Sequence, residues 1–272
     1  MSILTIIALG HGGGVPIEPY GVAGNTNYAL VPGEHSGQVI DILRANPYWL
    51  IDCGPETAMR ISATGAQNIP EPMVQNLQGI IITHCHGDHT GGLASLAWRT
   101  KFVEQKKVGL VYREELIPFL AGQLIETTHL SKSRGQVPWT HYWENRAYSP
   151  TRKEMDLGPF KIRLFEVDHN IPGFPSFGVE VILPNGKTAV ISGDTAFPIE
   201  GHYFERAYAV FHDTQFYDAG GEDTVHCPYS ALEAAVRPEN RQKVYLAHTP
   251  SPSPEVASAG FRWARQDTQV QI

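Results

Sequence analysis

The chain has 272 residues, with 42% hydrophobic residues and a formal net charge of −7 from 21 Lys+Arg against 28 Asp+Glu. That apolar content supports a packed core and excludes global disorder, while the acidic balance argues against a dedicated sequence-independent DNA binder. Three cysteines, Cys53, Cys85 and Cys227, are an odd number in a chain of this size. A disulfide framework is therefore not expected, and a reducing, cytoplasmic setting is.

The opening MSILTIIALGHGGG lacks a basic n-region and reads as a strand over 4–9, not a signal peptide. No apolar run approaches the ~18 residues of a membrane span. Short apolar runs bounded by Gly, Pro and Asn then predict strands at 27–31, 48–52, 79–83, 107–112, 161–167, 178–183, 188–193, 208–212 and 243–248. Helical patterns fall at 88–99, 113–124, 228–236 and 254–265. Segment 126–158 is the least regular and reads as an excursion from the core. Nothing divides the chain, so one layered α/β domain over 1–272 is expected.

Five of the predicted strands run into His or Asp. The strand at 79–83 meets His84, His86, Asp88 and His89; later strands meet Asp168 and His169, Asp194, His212 and Asp213, and His248. Any one of these is an ordinary polar strand end. Five together predict convergence at one sheet edge, where layered α/β proteins place their sites. The string THCHGDHTGG over 83–92 is the sharpest signal. Imidazole and carboxylate both suit zinc, and one turn cannot wrap four donors around one ion, but it can feed two.

With H-x-H-x-D-H in place, the chain resembles the metallo-β-lactamase superfamily, most closely its ribonuclease Z and cyclic-phosphodiesterase branch. LGHGGGVP (9–16), IDCG (51–54), SGDT (192–195), HDTQF (212–216), HCP (226–228) and LAHTP (246–250) extend the resemblance over most of the chain. It implies an αββα sandwich, two mixed sheets flanked by helices, with the metals at one edge. It implies two divalent ions, zinc or manganese: His84, His86 and His169 on one, Asp88, His89 and His248 on the other, and Asp194 bridging. A hydroxide between the ions would be the nucleophile. Asp88, Asp194 and that hydroxide would leave about one net positive charge, which favours an anionic phosphate. His226 matches the branch's general acid, oriented by Asp213. Asp52 is expected to hydrogen-bond a ligand histidine. His212 reads equally as functional or as a buried strand histidine. Cys85 and Cys227 are expected to pack rather than ligate. His11 either reaches substrate or caps its loop.

Ribonuclease Z-type enzymes carry a long basic arm; in the bacterial type it lies between the histidine matching His169 and the aspartate matching Asp194. Here that interval is a turn and two strands with a single Lys. A large RNA is thereby disfavoured, and a small cyclic phosphodiester, a 3′,5′-cyclic nucleotide, is the expected substrate. The resemblance also implies a homodimer, and its small members include phage-encoded enzymes that destroy cyclic-nucleotide defence signals. Trp139, Tyr142, Trp143 and Tyr148 could stack on a base, bury a subunit interface or cover the core. The alternatives are a tRNA 3′-end endonuclease, a thioester, lactone or β-lactam hydrolase, and a non-catalytic metal-binding module.

Overall fold

The computed structural model describes residues 3–10, 26–62, 73–125, 139–149, 151–216, 224–249 and 258–272. His11 and most of the Gly-rich opening lie outside the described residues, as do 126–138 of the irregular segment. The first sheet is built from β1 (Leu4–Ala8), β2 (Tyr28–Pro32), β3 (Tyr48–Ile51), β4 (Leu77–Ile81), β5 (Gly109–Arg113) and β6 (Glu144–Tyr148). The second takes β7 (Met155–Asp156), β8 (Lys161–Val167), β9 (Ser176–Ile182), β10 (Thr188–Ile191), β11 (Ala209–Asp213), β12 (Val244–Ala247) and β13 (Arg262–Trp263). The last strand, β14 (Gln269–Gln271), returns to pair with β1 in the first sheet. The orders are β14-β1-β2-β3-β4-β5-β6 and β13-β12-β11-β10-β9-β8-β7.

Alternation along the strands builds the layers. Ile6 faces the inter-sheet core while Ile7 faces the helices. Likewise Ala209 and Phe211 point between the sheets, and Val210 points outward. Helices α1 (Val39–Ala45), α2 (Pro55–Ser62), α3 (Gly87–Thr90), α4 (Leu93–Trp98) and α5 (Ile117–Ile125) follow strands of the first sheet. Their apolar faces, with Ile42, Ile61, Leu96 and Leu120, cover its outer surface. Helices α6 (Gly201–Arg206), α7 (Tyr229–Ala235) and α8 (Pro238–Arg241) follow strands of the second sheet. Phe204 and Leu232 seal that sheet's outer surface. This is the αββα sandwich of the metallo-β-lactamase fold.

Two expectations change. The pattern at 254–265 is not one helix, because Arg262–Trp263 is a strand pairing parallel with β12. The second half of the irregular segment is no excursion: β6 completes the first sheet as an edge strand. Tyr142, Trp143 and Tyr148 are 1%, 1% and 0% exposed and sit in the two cores flanking that sheet. They cover the core, and none of the three is a lid. The interval between His169 and Asp194 is a short loop and the antiparallel β9–β10 pair, with no arm.

Candidate metal centre

Strand direction decides where the polar strand ends go. β10, β11 and β12 are mutually parallel, β9 opposes β10, and β8 opposes β9. The C-terminal ends of β8, β10, β11 and β12 therefore share one edge, which collects His169, Asp194, Asp213 and His248. In the first sheet β3 and β4 are parallel and deliver Asp52 and the 84–89 turn. The turn fits tightly against its neighbours. A Cβ on Gly92 would run into the Gly54 carbonyl and the Ala58 side chain. Gly193, at φ +64°, would put a Cβ 2.5 Å from the Phe177 carbonyl oxygen. Only glycine serves immediately before Asp194. Asp52 (φ 62°) and His248 (φ 60°) also hold the left-handed backbone that side-chain-bearing residues disfavour.

One donor set contains His84, His86, His169 and Asp194, with ligand atoms all within 4.8 Å of one another. The His84 Nε2 and His169 Nε2 atoms lie 3.1 and 3.2 Å from His86 Nδ1. Asp194 Oδ2 stands 3.6 Å from His84 Nε2 and 4.0 Å from His169 Nε2. Donors about 2.0–2.2 Å from a tetrahedral zinc are about 3.3–3.6 Å apart, so the spacing suits a cation at the centre.

Hydrogen bonding also points the rings correctly. His169 Nδ1 donates to the Val225 carbonyl at 2.7 Å, leaving a lone pair on Nε2. Thr83 Oγ1 gives its proton to Asp52 Oδ2 at 2.6 Å. It can therefore only accept from His84 Nδ1, 3.1 Å away, which again leaves the Nε2 lone pair facing inward. Burial lowers the pKa of His84, His86 and His169 below the usual histidine range, keeping the rings neutral as metal ligands must be.

The second set is Asp88, His89, Asp194 and His248. Asp88 Oδ2 lies 3.4 Å from His89 Nε2 and 3.4 Å from His248 Nε2. Asp194 reaches the same two nitrogens at 3.4 Å, through Oδ1 and Oδ2 respectively. One carboxylate thus enters both sets, the placement expected of a bridge. His89 Nδ1 donates to Asp52 Oδ2 at 2.7 Å, as expected for Asp52, and leaves Nε2 for a ligand. Both His89 Nε2 and His248 Nε2 are buried without a hydrogen-bond partner. Buried polar atoms are rarely orphaned, and a cation accounts for both. Burial opposes charge at His89, but Asp194 and Asp52 outweigh it and raise its pKa well above the usual range. The pocket stabilises positive charge, which suits a divalent ion.

A third cluster, Asp194, Asp213, His226 and His248, overlaps these sets. In it His226 Nδ1 bonds Asp213 Oδ2 at 2.9 Å, and the Thr195 N–H donates to the same oxygen at 2.9 Å. Burial depresses the His226 pKa, but Asp213 more than offsets this and lifts it to about 9. His212 faces away from the edge: its Nδ1 donates to the Asp213 carbonyl at 2.6 Å and its Nε2 accepts from the Ile199 N–H at 3.2 Å. It is the buried strand histidine. Cys85 and Cys227 pack in the cores, and burial pushes both thiols up to about 12. Asp168 is exposed and caps its own turn through Asn170 N–H.

Sequence reasoning missed Thr83, Phe174 and Val225. Phe174 stacks on His86, with centroids 4.5 Å apart and planes 20° apart, on a Pro/Gly loop without periodicity. Thr83 was readable only as a polar residue before His84. Val225 acts through its carbonyl, which no side-chain pattern reveals.

Solved structures share this architecture. The chain aligns with the metallo-β-lactamase fold protein YhfI from Bacillus subtilis at TM-score 0.68 and 15% identity, covering 99% of this chain and 100% of that one. Human tRNase Z, short form, aligns at TM-score 0.62 and 17% identity, covering 98% of each chain. Among sequence relatives, the anti-Pycsar protein Apyc1 of Bacillus phage 010DV004 is 26% identical over 208 residues, 73% of this chain and 76% of that protein. The family described as anti-Pycsar protein Apyc1 matches residues 39–266. The chain belongs to that family and is a metal-dependent hydrolase of the phosphodiesterase type.

Proposed function

We propose that the protein is a dinuclear-metal phosphodiesterase that opens a small cyclic phosphodiester, a 3′,5′-cyclic nucleotide, to its monophosphate. The observation that carries this reading is Asp194, a buried carboxylate within 4.0 Å of histidines from both donor sets. His84, His86 and His169 would hold one ion, Asp88, His89 and His248 the other, with Asp194 shared; zinc fits this nitrogen and oxygen set, and manganese is the second choice. When bound, two divalent ions supply Lewis-acid stabilisation of phosphoryl oxygens and lower the pKa of water.

The chain supplies the proton. Asp213 holds His226 through Nδ1, which leaves Nε2 to protonate the leaving 3′ oxygen. The phosphorus–O3′ bond breaks, a water oxygen adds to phosphorus, and the proton released from that water restores His226.

The compact 169–194 hairpin supports a small substrate over a folded RNA, and so does membership of a family of anti-Pycsar proteins, which degrade cyclic nucleotides. The His226–Asp213 pair argues against thioester, lactone or β-lactam chemistry, which does not call for this acid. We take the enzyme to act in the cytoplasm as a homodimer, which light scattering on the eluting protein would read.

The deciding experiment presents zinc- or manganese-loaded protein with cyclic mononucleotides, precursor tRNA and nitrocefin. The expected result is conversion of at least one cyclic nucleotide to its monophosphate, about two ions per chain, and little tRNA cleavage. Asp194→Ala should lose both metal and turnover. Cleavage of precursor tRNA at its 3′ end with every cyclic nucleotide ignored would replace this reading with the tRNA endonuclease one.

A further inference from the structure

A second concave surface lies at the far end of the second sheet. β10, β11 and β12 run parallel, so the ends opposite Asp194, Asp213 and His248 also share an edge. Strands of 4 and 5 residues, at ~3.3 Å per residue, hold the two ends about 13–17 Å apart. That far edge opens onto a cavity of about 960 Å³ lined by Lys187, Arg206, Lys243, Arg262, Tyr208 and Tyr245, among others.

The charges there are one-sided. No Asp or Glu lines the cavity among the described residues, and none of the four cations makes an ion pair among them. The hydrogen-bond and ring partners of Lys243, Arg262 and Lys187 are neutral. Lys243 Nζ donates to the Glu205 carbonyl at 2.9 Å, while the Glu205 carboxylate lies 3.4 Å from Arg237. Arg262 donates to the Tyr245 hydroxyl at 2.7 Å. The Lys187 ammonium stands 4.3 Å over the ring of Tyr208, which is 53% exposed. In a chain of net charge −7, four cations around one cavity, of which only Lys243 feels a nearby carboxylate, that of Glu205, are a concentration of positive potential.

We infer that this cavity binds a polyphosphate group, at a site separate from the metal centre. Two guanidinium forks match phosphate oxygens and two ammonium groups add point charges. Four positive charges balance the roughly three to four negative charges of a di- or triphosphate; a single carboxylate would leave most of them unpaired. The volume lies within the usual ~300–1,000 Å³ of small-molecule sites, too small for a folded macromolecule. The same chemistry is offered by a nucleoside triphosphate and by inorganic tripolyphosphate. Only the first would also use the tyrosine faces.

The test uses the metal-loaded enzyme with inorganic tripolyphosphate and, separately, ATP. Lysine acetylation read by mass spectrometry should show Lys187 and Lys243 protected by ligand while the exposed Lys153 is not. Calorimetry should show binding weakened at least tenfold in Lys187→Glu/Arg206→Glu, where both native side chains are exposed. That variant should hydrolyse bis-p-nitrophenyl phosphate like wild type. ATP binding tenfold tighter than tripolyphosphate supports the site with a nucleotide as ligand; equal affinities support it with the phosphate chain alone. Unprotected lysines, or unchanged affinity in the double variant, would overturn the inference and leave polyphosphate bound only through the metals.

Discussion

The His226 and His248 rings stack nearly parallel, with centroids 4.3 Å apart and planes 26° apart. His248 belongs to the donor set with Asp88 and His89, and both rings share a further cluster with Asp194 and Asp213, where Asp213 holds His226 through Nδ1 beside the candidate metal centre. His226→Ala should therefore leave metal content near wild type and lower kcat by about 10²–10⁴-fold. The loss should shrink for p-nitrophenyl phosphodiesters, whose leaving group needs little protonation. Equal losses for good and poor leaving groups would assign His226 another task.

Asp52 ties two parts of the site together. It accepts from Thr83 N–H at 2.9 Å and from His89 Nδ1 at 2.7 Å. Asp52→Asn can keep one of these bonds but supplies no carboxylate to His89. Metal affinity should fall about 10–100-fold, as for other partners that orient ligand histidines. Competition with a chromophoric chelator reads this directly. An unchanged affinity would show that His89 is oriented by packing alone.

His212 makes stability depend on pH. Burial holds its pKa down at about 4, against 6.5 for an unperturbed ring, even though the Asp213 carbonyl pulls it up, and the Ile199 N–H that donates to Nε2 requires the neutral ring. The unfolded chain takes up a proton that the fold refuses, so the full contribution exists above pH 6.5 and is lost as pH falls toward 4. The loss is on the order of 3 kcal/mol. His212→Gln keeps a donor and an acceptor without titrating. Urea melts should show the wild-type advantage over His212→Gln shrinking between pH 7 and pH 4.5. A difference that stays constant across that range would count against this account.

Trp143 is a stability residue. At 1% exposure within the helix-side core, Trp143→Ala should cost about 3–5 kcal/mol in unfolding free energy. Where the variant still folds, its KM for a cyclic nucleotide should match wild type. A raised KM with unchanged stability would return Trp143 to the substrate.

Much of the site was legible because one turn carries its densest part. His84 to His89 occupy six consecutive positions, and their spacing points to metal ligation. His169, Asp194 and His248 were visible as polar residues closing apolar strands. Their convergence depends on strand direction, which periodicity cannot supply; the parallel β10–β12 pairing supplies it. The segment 144–148 reads ENRAY, a poor strand by composition, and it forms an edge strand with only Tyr148 fully buried. β13 is two residues long, too short to outweigh a helical pattern over 254–265. The aromatics at 142, 143 and 148 carried no sign of which way they faced, and the three-dimensional packing alone decides it.

The donor sets around His84 and around His89 each draw on both sheets: the 84–89 turn leaves β4 of one, while His169, Asp194 and His248 leave strands of the other. A cation held in either set is then a cross-tie between the halves of the sandwich. Every ion bound to the folded chain but not to the unfolded one raises the cost of parting the sheets, by an amount that grows with the logarithm of its free concentration. The supply of metal thus governs how firmly the two halves are fastened as well as whether the chemistry runs.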